Sequence, residues 1–168
     1  MRPPLPPAWA SVMGVHGSSQ RGYTSLANQT EDHTAMLNKA QLIDLVEDQY
    51  FAQMDQKRLD ATLNCLAADC VWRIYPAGIT LNGRDQEIRS AFKDAMAKYP
   101  TMWHGDFDCI VDEQAQRVYA TFNVRLVDAS GEETTMSNAK IFRVLDGKFT
   151  ELDLYFSSAA AIINEEEN

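Results

Sequence analysis

A lysine and an asparagine stand among apolar residues on one face of a predicted strand. Residues 134–145 alternate in the manner of a strand, and one face carries Met136, Asn138, Lys140, Phe142 and Val144. An amine on an apolar face loses hydration, and its pKa falls unless a counter-charge is near. Lys140 is therefore a candidate base or anion anchor, and Asn138 a candidate partner for a carbonyl group. The alternatives are that Lys140 extends to the rim and that Asn138 ties down a neighbouring strand.

His104 is the second candidate, because imidazole titrates near neutral pH and suits acid–base catalysis. It lies near the start of a predicted strand over 102–112, whose buried face is marked by Phe107, Cys109 and Val111. Strict alternation turns His104 to the opposite, solvated face. A bulge at Gly105 would instead turn it inward. The sequence leaves both orientations open.

Three predicted helices precede most of the predicted strands and are the elements that must position these residues. Helical spacing of apolar residues predicts helices over 38–53, 58–67 and 85–98. Alternation and turn residues predict strands over 70–75, 102–112, 117–127, 134–145 and 149–157, with a turn region at 78–83. Asp55 and Asp60 lie where the first two helices break, and helix capping explains both acids. The order predicts an α+β fold in which helices cover one face of a sheet.

Composition limits the classes of function. The chain has 168 residues, a net charge of −9 and a pI near 4.7, which argues against nucleic acid or an anionic membrane as partner. No apolar run is long enough to span a bilayer. Three cysteines without paired spacing indicate a reducing compartment, which we take to be the cytoplasm.

Three segments differ in composition and predict the domain organisation. Residues 1–36 begin with a proline-rich run and have no apolar period, which predicts a disordered tail. Their shortage of acidic residues also fits a targeting segment, and Met36 offers a second possible start. Residues 37–160 form the predicted domain, and 161–168 form an acidic C-terminal tail.

The chain resembles the nuclear-transport-factor-2-like superfamily, and in particular SnoaL-like polyketide cyclases and ketosteroid isomerase relatives. Three stretches carry the resemblance, namely 50–60 with its Tyr-Phe-Ala-Gln-Met-Asp run, 66–76 ending at a proline, and 140–149 with its Asp-Gly turn. The resemblance implies a cone-shaped, curved antiparallel sheet covered by about three N-terminal helices and enclosing a pocket. It also implies a homodimer, for which Tyr119, Thr121, Asn123 and Arg125 offer a mixed outer face.

Within that resemblance, Tyr50 falls where ketosteroid isomerases place their oxyanion-binding tyrosine. Their catalytic carboxylates would fall near Ile74-Tyr75 and at Lys140, so that mechanism is not expected here. The resemblance implies that His104, Lys140 and Tyr50 are catalytic. It implies that substrate contacts come from Asn138, Trp72, Tyr75, Phe142, Leu154 and Phe156.

The resemblance, together with these residues, implies a SnoaL-like small-molecule enzyme that transfers protons on a hydrophobic, carbonyl-bearing metabolite by isomerisation, cyclisation or dehydration. No cofactor and no metal are expected, because the histidines show no ligand spacing. The competing hypothesis is a non-catalytic binding or dimeric assembly domain of the same fold.

Overall fold

The computed structural model describes residues 36–75 and 77–157. Helix α1 is one continuous run with three parts, an α-helical Lys39–Asp44, a π-helical Leu45–Phe51 and an α-helical Ala52–Asp55. Its N-cap is Asn38, the first residue of the helix predicted over 38–53. The Asn38 side chain accepts from the backbone N–H of Gln41 at 3.0 Å, and the Gln41 side chain accepts from the backbone N–H of Asn38 at 3.0 Å.

Two shorter helical regions follow. Helix α2 spans Leu59–Asn64, and helix α3 is π-helical over Gly83–Ile88 and α-helical over Arg89–Lys98. The second predicted helix therefore ends earlier than expected, because the buried Leu66 already begins a strand. The third predicted helix is confirmed, with Ile88 and Phe92 buried.

Six strands form one sheet. They are β1 (Leu66–Tyr75), β2 (Ile79–Asn82), β3 (Thr101–Asp112), β4 (Arg117–Val127), β5 (Glu133–Leu145) and β6 (Lys148–Phe156). Their order is β2-β1-β6-β5-β4-β3, and every neighbouring pair is antiparallel except β1 and β6, which run parallel. The predicted turn region is wrong in one respect, because residues 79–82 pair with β1 as an edge strand.

The helices cover one face of this curved, unclosed sheet, which we call the inner face. The predicted alternation in β4 is confirmed, since the inner face buries Val118, Ala120, Phe122, Val124 and Leu126. Full burial of a Val, Leu or Phe side chain contributes about 1.5–3 kcal/mol to folding. A single core therefore joins α1 to the inner face of the central strands.

Parts of the sequence-based predictions lie outside the described residues. These include the predicted N-terminal tail up to residue 35, the acidic C-terminal tail at 161–168, and the histidines at 16 and 33. Of the helices that the structure does describe, none is long and apolar enough to cross a bilayer.

Candidate active site

Strand β5 places Lys140 and Asn138 on the inner face, as the alternation predicts. Lys140 is 3% exposed and Asn138 is 8% exposed, whereas the intervening Ala139 is only half-buried. Lys140 therefore does not extend to the rim. Its ammonium group is desolvated within the core, and such burial is costly unless the amine is neutral or has a partner.

The partner of Lys140 is a tyrosine on helix α1. The Nζ atom donates to Tyr50 Oη at 2.7 Å, across 90 residues of sequence. Four aromatic rings surround the same nitrogen, with centroid distances of 4.6 Å to Tyr50, 5.1 Å to Trp72, 5.3 Å to Phe142 and 5.6 Å to Phe51. No ion pair within the described residues includes this amine.

Burial sets the protonation state of this cluster. Desolvation lowers the pKa of Lys140 to about 7, and the neighbouring Cys70 opposes this shift only as a thiolate. Because burial raises the pKa of Cys70 to about 12, its thiol is neutral near pH 7 and supplies no counter-charge. Burial also raises the pKa of Tyr50 well above its ordinary value, so its hydroxyl keeps its proton. At neutral pH, Lys140 is divided between amine and ammonium.

Helix α1 positions Tyr50 through its π-helical part. Tyr50 and Phe51 are adjacent in sequence and both buried, at 0% and 2% exposure. Tyr50 packs edge-on against Phe142 and Phe149, with centroid distances of 5.8 and 5.5 Å. These contacts fix the ring within the core, and its hydroxyl still reaches Lys140 and can take a polar role.

A β-bulge turns His104 inward, which was one of the two orientations left open. The register of β3 against β4 passes from Gly105↔Asn123 to Asp108↔Thr121, so two residues of β3 oppose one residue of β4. Asp106 at the bulge has φ +53°, and its Oδ2 accepts from Asn123 Nδ2 at 3.1 Å. The extra residue reverses the alternation, and the His104 side chain is only 8% exposed.

The carboxylate that holds His104 is Asp55 at the end of α1. Asp55 Oδ1 lies 2.6 Å from His104 Nδ1, and Asp55 Oδ2 accepts from the backbone N–H of His104 at 2.8 Å. A carboxylate only accepts, so Nδ1 carries the hydrogen and the neutral ring keeps its lone pair on Nε2. The sequence-based interpretation of Asp55 as a helix cap is wrong. The sequence shows only an acidic residue at the end of a helix, whereas its partner His104 lies 49 residues further along the chain.

The imidazole and the amine pack on one common ring. The centroid of Phe51 lies 4.7 Å from that of His104 and 5.6 Å from Lys140 Nζ. His104, Asp55 and Trp103 also border an open depression of about 350 Å³ between α1 and β3. Two hydrogen-bonded pairs, Lys140–Tyr50 and His104–Asp55, therefore meet at one phenyl ring on the inner face.

The remaining predicted contact residues divide between the two faces of the sheet. Trp72, Phe142 and Leu154 belong to the core or pack against it, and Phe156 pairs with Asn138. Two buried polar atoms of this group, Trp72 Nε1 and Asn138 Oδ1, have no hydrogen-bond partner among the described residues. A buried donor and a buried acceptor without partners cost stability unless a bound molecule satisfies them.

Tyr75 does not lie with these residues, and its predicted place in the pocket is wrong. It stands three residues after Trp72, and an odd separation along a strand places two side chains on opposite faces. Tyr75 is 37% exposed and stacks on Tyr155 of β6, with centroids 4.7 Å apart. Tyr75 therefore does not face a molecule bound on the inner face of the sheet.

Within residues 36–75 and 77–157, no side chains are arranged to bind a metal ion or to activate a thiol. No three His, Cys, Asp or Glu side chains cluster there as metal ligands. The thiols of Cys65, Cys70 and Cys109 are free. Burial raises the pKa values of Cys65 and Cys109 to about 11, which keeps both thiols protonated and weakly nucleophilic at neutral pH.

Comparison with known proteins supplies a family and a set of similar structures. The family model of the SnoaL-like domain matches residues 48–152. No curated protein sequence shows significant similarity to this chain. Among solved structures, a candidate polyketide cyclase from Xanthomonas campestris pv. campestris is 23% identical, with a TM-score of 0.64 over 72% of this chain and 93% of that one.

Two further solved structures share this fold, and they are of different kinds of protein. An LEH-like epoxide hydrolase from M. tuberculosis is 14% identical, with a TM-score of 0.61 over 70% of this chain and 84% of that chain. A hypothetical protein from Catenulispora acidiphila with a ketosteroid isomerase-like fold, in complex with trimethylamine, is 15% identical. Its TM-score is 0.58 over 66% of this chain and 83% of that one. At these identities the likeness establishes the fold alone.

Proposed function

Because the chain belongs to the SnoaL-like family, we propose that it is a small-molecule enzyme that transfers protons without a cofactor on a hydrophobic, carbonyl-bearing metabolite. The reaction is an isomerisation, a cyclisation or a dehydration. One observation carries this proposal above the others: the Lys140–Tyr50 and His104–Asp55 pairs both pack against the Phe51 ring. Proton transfer needs a base and an acid near one another, and two such pairs on one ring supply both.

Lys140 supplies the first proton-transferring group. With its pKa lowered to about 7 by desolvation, a large fraction of the amine is neutral at physiological pH and can accept a proton. A catalytic pKa near the working pH is the most effective value for general acid–base catalysis. Tyr50 remains protonated and can donate a hydrogen bond to an oxygen on which negative charge develops.

His104 supplies the second group. Asp55 fixes the Nδ1–H tautomer, which leaves Nε2 as the basic atom. The same carboxylate stabilises the imidazolium that forms when Nε2 takes a proton. In this proposal Asp55 is a positioning residue, because both of its carboxylate oxygens bind His104 and it acts on the substrate only through that imidazole.

The substrate class follows from the surroundings of these groups. Trp72, Phe142 and Leu154 lie in or against the apolar core around Lys140, and Phe156 lies beside Asn138 on the same face, so these surroundings suit a hydrophobic molecule. The unpartnered indole N–H of Trp72 suits a substrate oxygen, and the unpartnered carbonyl oxygen of Asn138 suits a substrate hydroxyl. We include a cytoplasmic location in the proposal, since three protonated, free thiols fit a reducing compartment.

Hydrogen–deuterium exchange tests the proposed proton transfer. The purified protein is incubated in D₂O at neutral pH with a hydrophobic ketone whose α-hydrogens are acidic, such as 2-tetralone, and deuterium uptake is followed by NMR. We expect uptake faster than in buffer alone, and a fall of about 10²-fold or more in Lys140→Met and in His104→Asn, the usual size of an acid–base contribution.

Lys93→Met is the matched control, because Lys93 is exposed on helix α3 and the same charge is removed. It should exchange the ketone at the wild-type rate. Equal exchange rates in the wild type, Lys140→Met and His104→Asn would contradict the proposal and would favour a non-catalytic binding or assembly domain.

A further inference from the structure

We propose that Lys140 acts as a nucleophile and forms an imine with the carbonyl group of a hydroxylated aromatic aldehyde or ketone. This inference deepens the proposed function, on which it rests for the carbonyl substrate, and it adds a covalent step. It is carried by the placement of the amine against one hydroxyl and four aromatic rings.

The first requirement for imine formation is an amine with a free lone pair. An ammonium group held by a carboxylate stays charged and cannot attack a carbonyl carbon. Lys140 Nζ has a hydroxyl partner, Tyr50 Oη, and within the described residues it is in no ion pair. A desolvated lysine in apolar surroundings is the usual state of a lysine that forms imines.

The second requirement is a proton relay beside the amine. The Nζ lone pair attacks the carbonyl carbon while the π pair moves to oxygen, which takes a proton and gives a carbinolamine. The Tyr50 hydroxyl, 2.7 Å from Nζ, can donate that proton and recover one from the nitrogen. One further proton, taken up from the solvent, protonates the carbinolamine hydroxyl, which leaves as water while the nitrogen lone pair forms the C=N bond of the iminium. Amine, carbonyl and one proton thus give iminium and water, and no oxidant or reductant is needed.

The third requirement is stabilisation of the cationic product in a buried place. The rings of Tyr50, Phe51, Trp72 and Phe142 lie 4.6–5.6 Å from Nζ, and the faces of aromatic rings attract a cation. The charge of an iminium is spread over carbon and nitrogen, and the aromatic enclosure stabilises it.

The two unpartnered polar atoms specify the rest of the ligand. Asn138 stands one inner-face position from Lys140 on β5, and Trp72 has its ring centroid 5.1 Å from Nζ. Asn138 Oδ1 is a buried acceptor and Trp72 Nε1 a buried donor, both without a partner among the described residues. A hydroxyl group on the aromatic body of the ligand can donate to Asn138 Oδ1, and the Trp72 indole N–H can donate to another oxygen of the ligand.

Reductive trapping tests the imine directly. The protein is incubated near neutral pH with 6-hydroxy-2-naphthaldehyde and sodium cyanoborohydride, and the modified lysine is located by peptide mass spectrometry. We expect Lys140 to be labelled about tenfold faster or more than any other lysine, because ordinary lysines are almost fully protonated at this pH. Labelling of Lys39 or Lys93 with Lys140 unmodified would overturn the inference.

Three variants separate a specific site from adventitious reactivity. Lys140→Met should lose the fast adduct, whereas Lys93→Met should keep it. Tyr50→Phe should slow adduct formation by about tenfold or more while the amine remains. Asn138→Leu should abolish any preference for the 6-hydroxy aldehyde over its 6-methoxy analogue. Since the site is mapped on the wild-type protein, the test stands even if one variant fails to fold.

The outcomes also separate this inference from the proposed function. Exchange of 2-tetralone that depends on Lys140 and His104, without an adduct at Lys140, would overturn the imine and leave proton transfer in place. An adduct at Lys140 with no protein-dependent exchange would support the covalent step and contradict the proton-transfer proposal.

Discussion

Asp55 binds His104 through both of its carboxylate oxygens. One accepts from the ring Nδ1 at 2.6 Å and the other from the backbone N–H at 2.8 Å. The pair joins the last residue of helix α1 to strand β3 immediately before the bulge. Asp55 thereby fixes both the tautomer of the imidazole and the place of the strand that carries it.

The first prediction concerns Asp55→Asn. An amide has one accepting atom, so one of the two bonds is replaced by an N–H facing a donor. We expect a loss of about 1–3 kcal/mol in the free energy of unfolding, because hydrogen bonds to a charged carboxylate are replaced by weaker ones to a neutral amide. If the backbone bond is kept, the amide donates to Nδ1, and the ring proton moves to Nε2. Long-range ¹H–¹⁵N NMR of His104 reports this tautomer.

Asp60→Asn is the control for this change, because Asp60 is an acid on the next helix whose side chain is 82% exposed. It should change neither the tautomer of His104 nor the stability by more than about 0.5 kcal/mol. An unchanged tautomer and unchanged stability in Asp55→Asn would show that the pair does not hold the imidazole.

The second prediction concerns the pH dependence of stability. The pKa of Lys140 is about 7 in the folded protein and near its ordinary value of 10.5 in the unfolded chain. Between these two values the unfolded chain holds a proton that the folded protein lacks, so the free energy of unfolding rises with pH. Below pH 7 both states are protonated, and the full penalty for the buried charge remains.

Lys140→Met removes this titration and keeps the apolar stem. We expect the variant to be more stable than the wild type, with the largest difference near and below pH 7 and a smaller one at about pH 9. Urea unfolding of both proteins across this range measures the difference. Tyr50 and Cys70 face the amine but are present in both proteins. Parallel pH profiles for the wild type and Lys140→Met would contradict a lowered pKa.

The contrast between Lys140 and His104 shows how far the sequence predicts this site. The inward direction of Lys140 follows from alternation along β5, which is regular from Met136 to Phe142. The direction of His104 depends on one extra residue in β3, and the sequence offers only Gly105 as a hint. A single inserted residue reverses every side chain beyond it, so alternation alone could not choose.

The misplaced residues have equally local causes. The family resemblance implies that Tyr75 and Trp72 both contact substrate, but their separation of three residues along β1 puts them on opposite faces of the sheet. Asp55 was explained by its own helix, whereas its partner belongs to a strand that the helix meets only in the folded chain. Contacts between distant segments are set by tertiary packing, which spacing in the sequence does not encode.

The third prediction concerns the bulge. A Cβ atom at Gly105 would lie 2.2 Å from Cζ2 of Trp103, so the indole must move in Gly105→Ala. We expect a loss of about 1–3 kcal/mol, as overpacking typically causes. Trp103→Ala should remove most of this cost in a double-mutant cycle, because it deletes the obstructing ring. Additive effects measured by urea unfolding would show that the indole is not the obstacle.

The fourth prediction concerns self-association, which stays a proposal. Ile110 and Tyr119 are directly opposite on β3 and β4, and they are 70% and 39% exposed on the outer face. We expect this face to form a two-fold homodimer, which Ile110→Lys should dissociate. Leu145→Lys, at another exposed apolar residue, should leave the dimer intact. Sedimentation of the wild type as a monomer at micromolar concentration would contradict the prediction.

The most direct test of the account is the pKa of Lys140 itself. Lysine labelled with ¹³C at Cε is introduced into the protein, the Lys140 signal is assigned by its loss in Lys140→Arg, and its chemical shift is followed against pH. The structure predicts a midpoint at about 7, because the amine is buried among Tyr50, Trp72 and Phe142. A midpoint near that of an exposed lysine, about 10.4, would contradict both the proton-transfer proposal and the imine.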